Sequence, residues 1–434
     1  MHEPSFLETA DRIGARLCRD ALWCGDRCNW LGWGLEVVGS VWTPVYRAQS
    51  GTVYDGTAGI ALFLSRLYSF TQDPLQKMTA LGALNHALDV AGDITPELQP
   101  SLYSGGTGVG YATLQLGAIF ADDRMVARGL HLLLEASQVP TSPMFLDVLG
   151  GSAGAIQCLL ETAHRFDAPH LLERADAHGR LLLQEVSKSD RGWSWNTMPG
   201  QAEKNLLGYG HGAGGIACAL LELWAETANP EYREAALQAF RYERSYFSSE
   251  KHNWPDLRSM AAYGIPPEQT VFAVAWCHGG PGIGLSRLRA LELIDDQEIL
   301  RDLEEACQLT SAACENPDFP ASGSLCLCHG LGGNADLLLE TDDGRGGRDL
   351  RQIAESIGHK AIAQICSDEL PWPCGVNGGG ETPNLMLGIA GIGYFFLRLY
   401  DSVRVPSVLL VRFADGHASE VPVHEEMTRV PELA

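Results

Sequence analysis

Seven short glycine motifs recur along this chain of 434 residues, and each opens an apolar run of helical length. They are Asp55-Gly-Thr-Ala-Gly59, Ser104-Gly-Gly-Thr-Gly108, Gly150-Gly-Ser-Ala-Gly154, His211-Gly-Ala-Gly-Gly215, His278-Gly-Gly-Pro-Gly282, His329-Gly-Leu-Gly-Gly333 and Leu387-Gly-Ile-Ala-Gly391. Their first glycines stand at 56, 105, 151, 212, 279, 330 and 388, so each interval has room for two helices. Glycine there permits tight turns and close backbone approach at a crowded helix entrance. One such motif says little, but seven in register constrain the architecture.

The runs Ile60–Tyr68, Ile216–Trp224 and Ile392–Tyr400 are apolar on nearly all sides and read as buried helices. Between such runs lie amphipathic segments, among them Ala168–Val186, Glu231–Tyr246 and Asp349–Cys366, which read as outer helices. The inner runs are too apolar to line an open solenoid. The pattern therefore predicts an all-α fold, a closed α/α toroid of seven inner and seven outer helices. The toroid domain is expected over residues 1–405, with a C-terminal tail over 406–434. Strand-like alternation is scarce, and Ser407–Phe413 in the tail is the best candidate strand. In a closed ring the inner helices run parallel, so all seven motifs gather at one end. Asp55 and Ser104 suit the role of helix N-caps there.

A net charge of −23 argues against nucleic acid and against a polybasic membrane anchor. No run approaches the ~18 apolar residues of a membrane helix, so no membrane insertion is expected. No secretory signal is visible. With twelve cysteines, that suggests a reducing, cytoplasmic setting with thiols free or metal-bound. Cys158, Cys218, Cys307 and Cys366 sit singly on apolar helix faces and read as core residues.

The motifs put scattered residues into one register. Two positions before the first glycine stand Tyr54, Tyr103, Leu149, Gly210, Cys277, Cys328 and Met386. One position before stand Asp55, Ser104, Gly150, His211, His278, His329 and Leu387. In a ring, positions 277 and 328 are neighbours, with 211 one repeat further round. Cys277, Cys328 and His329 then offer two thiolates and one imidazole, a zinc donor set with a fourth position open, as catalytic sites have. A closed site using Cys326 or His278 is the alternative, although Cys326-Leu-Cys328 is tighter than the usual CxxC knuckle. Unligated core residues are a second alternative.

A zinc ion with two thiolate ligands is a modest Lewis acid but a good holder of a nucleophilic thiolate, because coordination deprotonates a thiol whose pKa is otherwise ~8.5. Thiol alkylation or conjugate addition fits this better than peptide hydrolysis, and no HExxH is present. Conjugate addition also requires protonation of an enolate. His211 is the candidate, with a helix cap as its alternative. Asp147, a lone acid in Phe145-Leu-Asp-Val-Leu149, needs a partner and could orient His211 or cap a helix. His278 could be a second acid/base or a hydrogen-bond donor at the metal rim. Trp276 and Tyr209 are candidates for pocket wall or for core.

At Gly208-Tyr-Gly-His-Gly212, Trp276-Cys-His-Gly279 and Cys328-His-Gly330 the chain resembles the lanthionine synthetase C-like (LanC-like) cyclases. The resemblance runs from Ala10 to Leu410. Trp276-Cys-His-Gly279, Asn253-Trp-Pro-Asp-Leu-Arg258 and Gly391-Ile-Gly-Tyr-Phe-Phe-Leu-Arg398 look most like the cyclase part of class II lanthipeptide synthetases. It implies an α/α toroid with one zinc ion held by Cys277, Cys328 and His329. It implies a carbon–sulfur bond-forming lanthionine synthetase that adds peptide cysteine thiols to dehydroalanine or dehydrobutyrine, making thioether rings. His211 matches the family's acid/base histidine and Asp147 its active-site acid. The dehydratase part of class II enzymes has no counterpart here, which implies a stand-alone cyclase or an excised domain, a dehydrated precursor peptide as substrate and a separate dehydratase as partner.

Two departures stand out. Class I cyclases carry an arginine four residues before the first zinc cysteine, where this chain has Ala273, and an inserted domain for which the first intervals leave no room. Some relatives use a third cysteine at zinc, a role open to Cys326. Competing readings are addition of a small thiol such as glutathione to dehydrated residues, a non-catalytic precursor-binding scaffold, and a zinc prenyltransferase. Residues 240–268 read as a flap, a peptide-contacting element or a structural loop, and Asp342–Arg348 as a mobile surface loop.

Overall fold

The computed structural model describes residues 5–38, 41–139, 144–200, 202–259, 265–266, 269–315, 317, 319, 323–341, 349–366 and 370–412. The candidate loop Asp342–Arg348, part of 240–268 and the tail from 413 onward lie outside them. Among the described residues are fourteen α-helices. The seven inner ones each follow a glycine motif: α2 (Thr57–Thr71), α4 (Gly106–Phe120), α6 (Ser152–Phe166), α8 (Ala213–Thr227), α10 (Gly280–Leu291), α12 (Leu331–Glu340) and α14 (Ile389–Tyr400). Six outer helices follow them in sequence: α3 (Pro74–Val90), α5 (Asp123–Ala136), α7 (His170–Gln184), α9 (Pro230–Arg244), α11 (Gln297–Cys314) and α13 (Leu350–Ala361). The seventh outer partner comes from the other end of the chain, because α1 (Phe6–Asp20) packs on α14. Each inner helix contacts the next and α14 contacts α2, so the ring is closed. This is the α/α toroid.

The inner helices are buried nearly all round. Every residue from Thr57 to Leu67 in α2 and from Ala213 to Leu223 in α8 is buried. The outer helices bury one stripe, as in α7, where Leu171, Ala175, His178, Leu181 and Leu182 face inward. Cys158 and Cys218 are core residues as expected, while Cys307 and Cys366 are only partly buried.

The motif geometry explains its glycines. A Cβ at the last glycine of each motif, from Gly59 to Gly391, would lie 1.8–2.2 Å from the carbonyl oxygen six residues earlier. The preceding loop thus folds tightly beneath each helix entrance. It also satisfies the first-turn N–H groups, as in Gly215 N→Gly208 O at 3.2 Å and Gly333 N→Cys326 O at 3.3 Å. Side-chain caps are therefore redundant. The N-caps of α2 and α4 are Gly56 and Gly105, not Asp55 and Ser104 as expected. Asp55 instead pairs with Arg47 at 2.9 Å and accepts from Ser50 Oγ at 2.7 Å.

The loops are stitched to one another in ring order. Tyr54 N donates to Tyr103 O at 2.8 Å, Leu149 N to Gly210 O at 3.1 Å, and Cys277 N to Cys328 O at 3.3 Å. Cys328 N donates to Met386 O, and Met386 N to Tyr54 O, each at 3.0 Å. These are the residues two positions before each motif's first glycine. The register read from sequence is thus a physical ring at one end of the barrel.

The expected tail strand is not formed. Residues 408–411 form a turn, not a strand, and residues Val405–Val411 are buried inside the barrel against the inner helices. Tyr394 Oη donates to Pro406 O at 2.8 Å, Tyr103 Oη to Val408 O at 2.7 Å and Arg398 Nη1 to Val405 O at 2.8 Å. A cavity of ≈ 350 Å³ beside this segment is lined by Glu222, Arg289, Glu340 and Arg412, away from the cysteines. The strands lie near the N-terminus instead. They form the antiparallel hairpins β1 (Leu22–Cys24)–β2 (Arg27–Asn29) and β3 (Leu31–Val38)–β4 (Val41–Ala48), with β5 (Ser187–Ser189)–β6 (Gly192–Ser194) further on.

A buried ion-pair network fixes the loop before α8. Glu243, fully buried, accepts from Gly208 N at 2.6 Å and Gly214 N at 3.0 Å and pairs with Arg287 at 2.8 Å. Arg287 also meets Asp302 at 3.1 Å. Removing one partner would strand a buried guanidinium and two backbone donors. Glu243→Ala is expected to cost about 3–5 kcal/mol, read as a lowered denaturation midpoint by circular dichroism. A loss under about 1 kcal/mol would contradict this role.

Candidate metal centre

The stitched ring places Cys277, before α10, beside Cys328 and His329, before α12. One ligand atom from each of Cys277, Cys328 and His329 lies within 4.8 Å of the others. Both cysteines are buried, and His329 is exposed at the mouth. Gly210 is the neighbour on the other side. A Cβ there would approach Cys277 Cα to 3.1 Å, so any larger residue would crowd the two loops.

The donor set suits zinc. His329 Nε2 lies 2.9 Å from Gly375 O. A carbonyl can only accept, so Nε2 carries the proton and Nδ1 keeps the lone pair a metal needs. Gly375 is itself confined, since a Cβ there would meet Cys326 Sγ at 2.6 Å and His329 Nε2 at 2.9 Å. Cys326 lies outside the converging trio, with its sulfur 3.2 Å from Ser324 Oγ. A hydrogen bond from Cys328 holds the Cys277 thiol well below its ordinary range, while that contact and burial push Cys328 up. The charges of Cys326 and Cys277 push His329 up in turn. The trio thus holds protons that a metal would displace. Tyr54 Oη donates to Cys328 Sγ at 3.0 Å. Burial pushes this phenol well above its usual range, so it keeps its proton.

His211 and Asp147 meet at the same mouth. Asp147 is buried and accepts from Gly150 N at 2.6 Å through Oδ1, while its Oδ2 lies 2.8 Å from His211 Nδ1. Nδ1 is therefore the protonated nitrogen in either charge state, leaving Nε2 as the exchangeable position. Burial opposes the imidazolium, but the hydrogen bond and charge of Asp147 outweigh it and raise the His211 pKa. His278 stacks on His211, with centroids 5.3 Å apart and planes at 24°. Burial pushes His278 down to about 4, so this ring is neutral near pH 7. Its Nε2 has no partner among the described residues. Tyr209 and Trp276 fall in the barrel core, with rings 5.9 Å apart.

Part of the long fourth interval packs against this mouth. Trp254 is buried, Asn253 Nδ2 donates to Ala273 O at 2.9 Å, and Asp256 lies 4.0 Å from His278 Nδ1. Arg258 binds Asp256 at 2.7 Å and is about one-quarter exposed, 27%. A guanidinium is thus present near the histidines although position 273 is alanine. Sequence reasoning missed Tyr54, Gly375, Asp256 and Arg258. Tyr54 had a visible signal in the repeat slot it shares with both cysteines, and Asp256 and Arg258 stand in the Asn253–Arg258 motif quoted for the resemblance.

The sequence matches the lanthionine synthetase C-like protein family over residues 47–410. The chain belongs to that family. Among solved structures, this LanC-like chain is similar to nisin cyclase with a TM-score of 0.61 at 17% identity, covering 83% of this chain and 92% of that one. An unsaturated glucuronyl hydrolase from Bacillus sp. GL1 gives 0.45 at 14% identity, covering 74% and 87%. An α-1,6-mannanase of Salegentibacter sp. HEL1_6 gives 0.46 at 11%, covering 92% and 99%. For the LanC-like chain the first of these likenesses concerns the toroid fold. Among the described residues no helix is long and apolar enough to cross a membrane.

Proposed function

We propose that this LanC-like protein is a zinc-dependent lanthipeptide cyclase, a lanthionine synthetase. It closes thioether rings by adding cysteine thiols of a dehydrated precursor peptide to dehydroalanine or dehydrobutyrine in the same peptide. The observation that carries the reading is the convergence of Cys277, Cys328 and His329 beside the Asp147–His211 pair at one mouth. A zinc ion bound by the trio would supply a position where a peptide thiol loses its proton yet stays nucleophilic.

The chain's own groups supply the rest. Gly375 O fixes the His329 tautomer. Asp147 orients His211 and stabilises its protonated form, and His211 delivers that proton to the α-carbon of the enolate left by sulfur addition. His278, neutral and stacked on His211, holds that ring in place. Arg258 adds positive charge near the developing enolate. A separate dehydratase would supply the substrate.

The experiment is a reaction of zinc-loaded protein with a dehydrated peptide in the presence of glutathione. Cyclisation predicts loss of peptide thiols without added mass. A glutathione adduct as the main product would overturn the intramolecular reading in favour of small-thiol addition, and tight binding without thiol loss would favour a scaffold.

Asp147→Asn gives a pH test. The raised His211 pKa keeps its proton donor charged to higher pH. Losing the carboxylate charge should move the basic limb of the rate profile toward lower pH. An unmoved limb would show that Asp147 does not govern the proton donor.

A further inference from the structure

The proposed reaction brings an incoming peptide thiol beside two protein thiols, Cys277 and Cys328. All three sulfurs are chemically competent to attack the same alkene. Attack by Cys328 would form a C–S bond to the β-carbon, push the alkene electrons into the enolate, and end with a proton on the α-carbon. That sequence needs no oxidant and would consume the enzyme.

The structure distinguishes the sulfurs. Cys277 faces Cys328 and His329, its fellow candidate ligands. Cys328 alone receives a hydrogen bond from outside the trio, among the described residues, from Tyr54 Oη at 3.0 Å. The Tyr54 backbone is pinned on both sides, donating to Tyr103 O at 2.8 Å and accepting from Met386 N at 3.0 Å. The ring of loops thus fixes the backbone from which its hydroxyl reaches Cys328 Sγ. A hydrogen bond to a thiolate withdraws charge from sulfur and lowers its nucleophilicity.

We propose that Tyr54 is a positioning residue that shields Cys328, holding this protein sulfur as a ligand while the substrate sulfur attacks. The inference rests on the metal-site reading above and goes beyond it, because it assigns a chemical difference between the sulfurs.

The test compares wild type with Tyr54→Phe, each loaded with cobalt(II) in place of zinc, and with zinc for alkylation by iodoacetamide. Tyr54→Leu is the second hydroxyl-free variant if the first does not fold. The sulfur-to-cobalt charge-transfer band should move to lower energy in the variant. Alkylation of Cys328, mapped by peptide mass spectrometry, should rise about tenfold relative to Cys277, the scale of a hydrogen bond to a charged acceptor. An unchanged band with an unchanged alkylation ratio overturns the proposal while leaving the metal site intact. Wild type that binds no cobalt or zinc overturns the metal-site reading itself.

Discussion

Cys328→Ala is expected to abolish both metal binding and cyclisation. The zinc content should fall from about one per chain to near zero, because two remaining donors do not hold zinc against a chelator. The rate of thioether formation should fall roughly a thousandfold or more, the equivalent of several kcal/mol of transition-state stabilisation. The fold should survive, since the ring is held by backbone bonds such as Cys277 N→Cys328 O and Cys328 N→Met386 O, which the substitution keeps. Metal analysis with far-ultraviolet circular dichroism separates loss of ligand from loss of fold. A Cys328→Ala protein that kept its metal and its activity would remove the basis of the functional reading.

His211→Ala should give a different signature. The metal trio is untouched, so zinc content should stay at the wild-type level. The rate should fall by about 10²–10⁴-fold, the usual share of a positioned proton donor. Asp147 would then be a buried carboxylate that keeps Gly150 N but loses the imidazole, which predicts a modest stability loss of about 1–3 kcal/mol. Full activity in His211→Ala would reassign the proton to another group, with His278, stacked on the same ring, the adjacent alternative. The contrast between the two variants, one losing metal and the other keeping it, separates holding the nucleophile from protonating the product.

The repeat was legible because close approach left no substitute for glycine. The carbonyl oxygen six residues earlier bars a Cβ at the last glycine of all seven motifs, so the pattern is plain in the sequence. Slot positions were legible for the same reason: the loops hydrogen-bond in register, so sequence offset from glycine maps onto position in the ring. That brought Cys277, Cys328 and His329 together, whereas for Asp147, outside the slots, the sequence left a histidine partner and a helix cap both open.

Features that depend on distant contacts were not legible. Gly375 lies on a loop with no repeat register, and only folding brings its carbonyl to His329. Arg258 is tied to Asp256 and reaches the mouth because Asn253 and Trp254 anchor that segment. Asp55 looked like a cap, but the loop's own carbonyls had already satisfied the helix entrance. The tail Ser407–Arg412 looked like a strand because its Val and Leu residues are apolar. They are apolar because they are buried inside the barrel against the inner helices, where there is no strand partner to extend them. The β3–β4 hairpin was missed although Leu31, Trp33 and Leu35 alternate with smaller or polar residues. Its packing is long-range: Trp33 rests on Gly379 and Gly380, and Gly32 on Pro383.

The most direct measurement of the central claim is a count of free thiols in a dehydrated precursor peptide, with and without zinc-loaded protein. The peptide is quenched with a thiol-alkylating probe and its adducts are counted by mass spectrometry. The proposed cyclase predicts that adducts disappear one per ring while the unlabelled mass stays constant, and that chelation of zinc stops the loss. Adduct numbers that remain unchanged with fully metallated protein would contradict it.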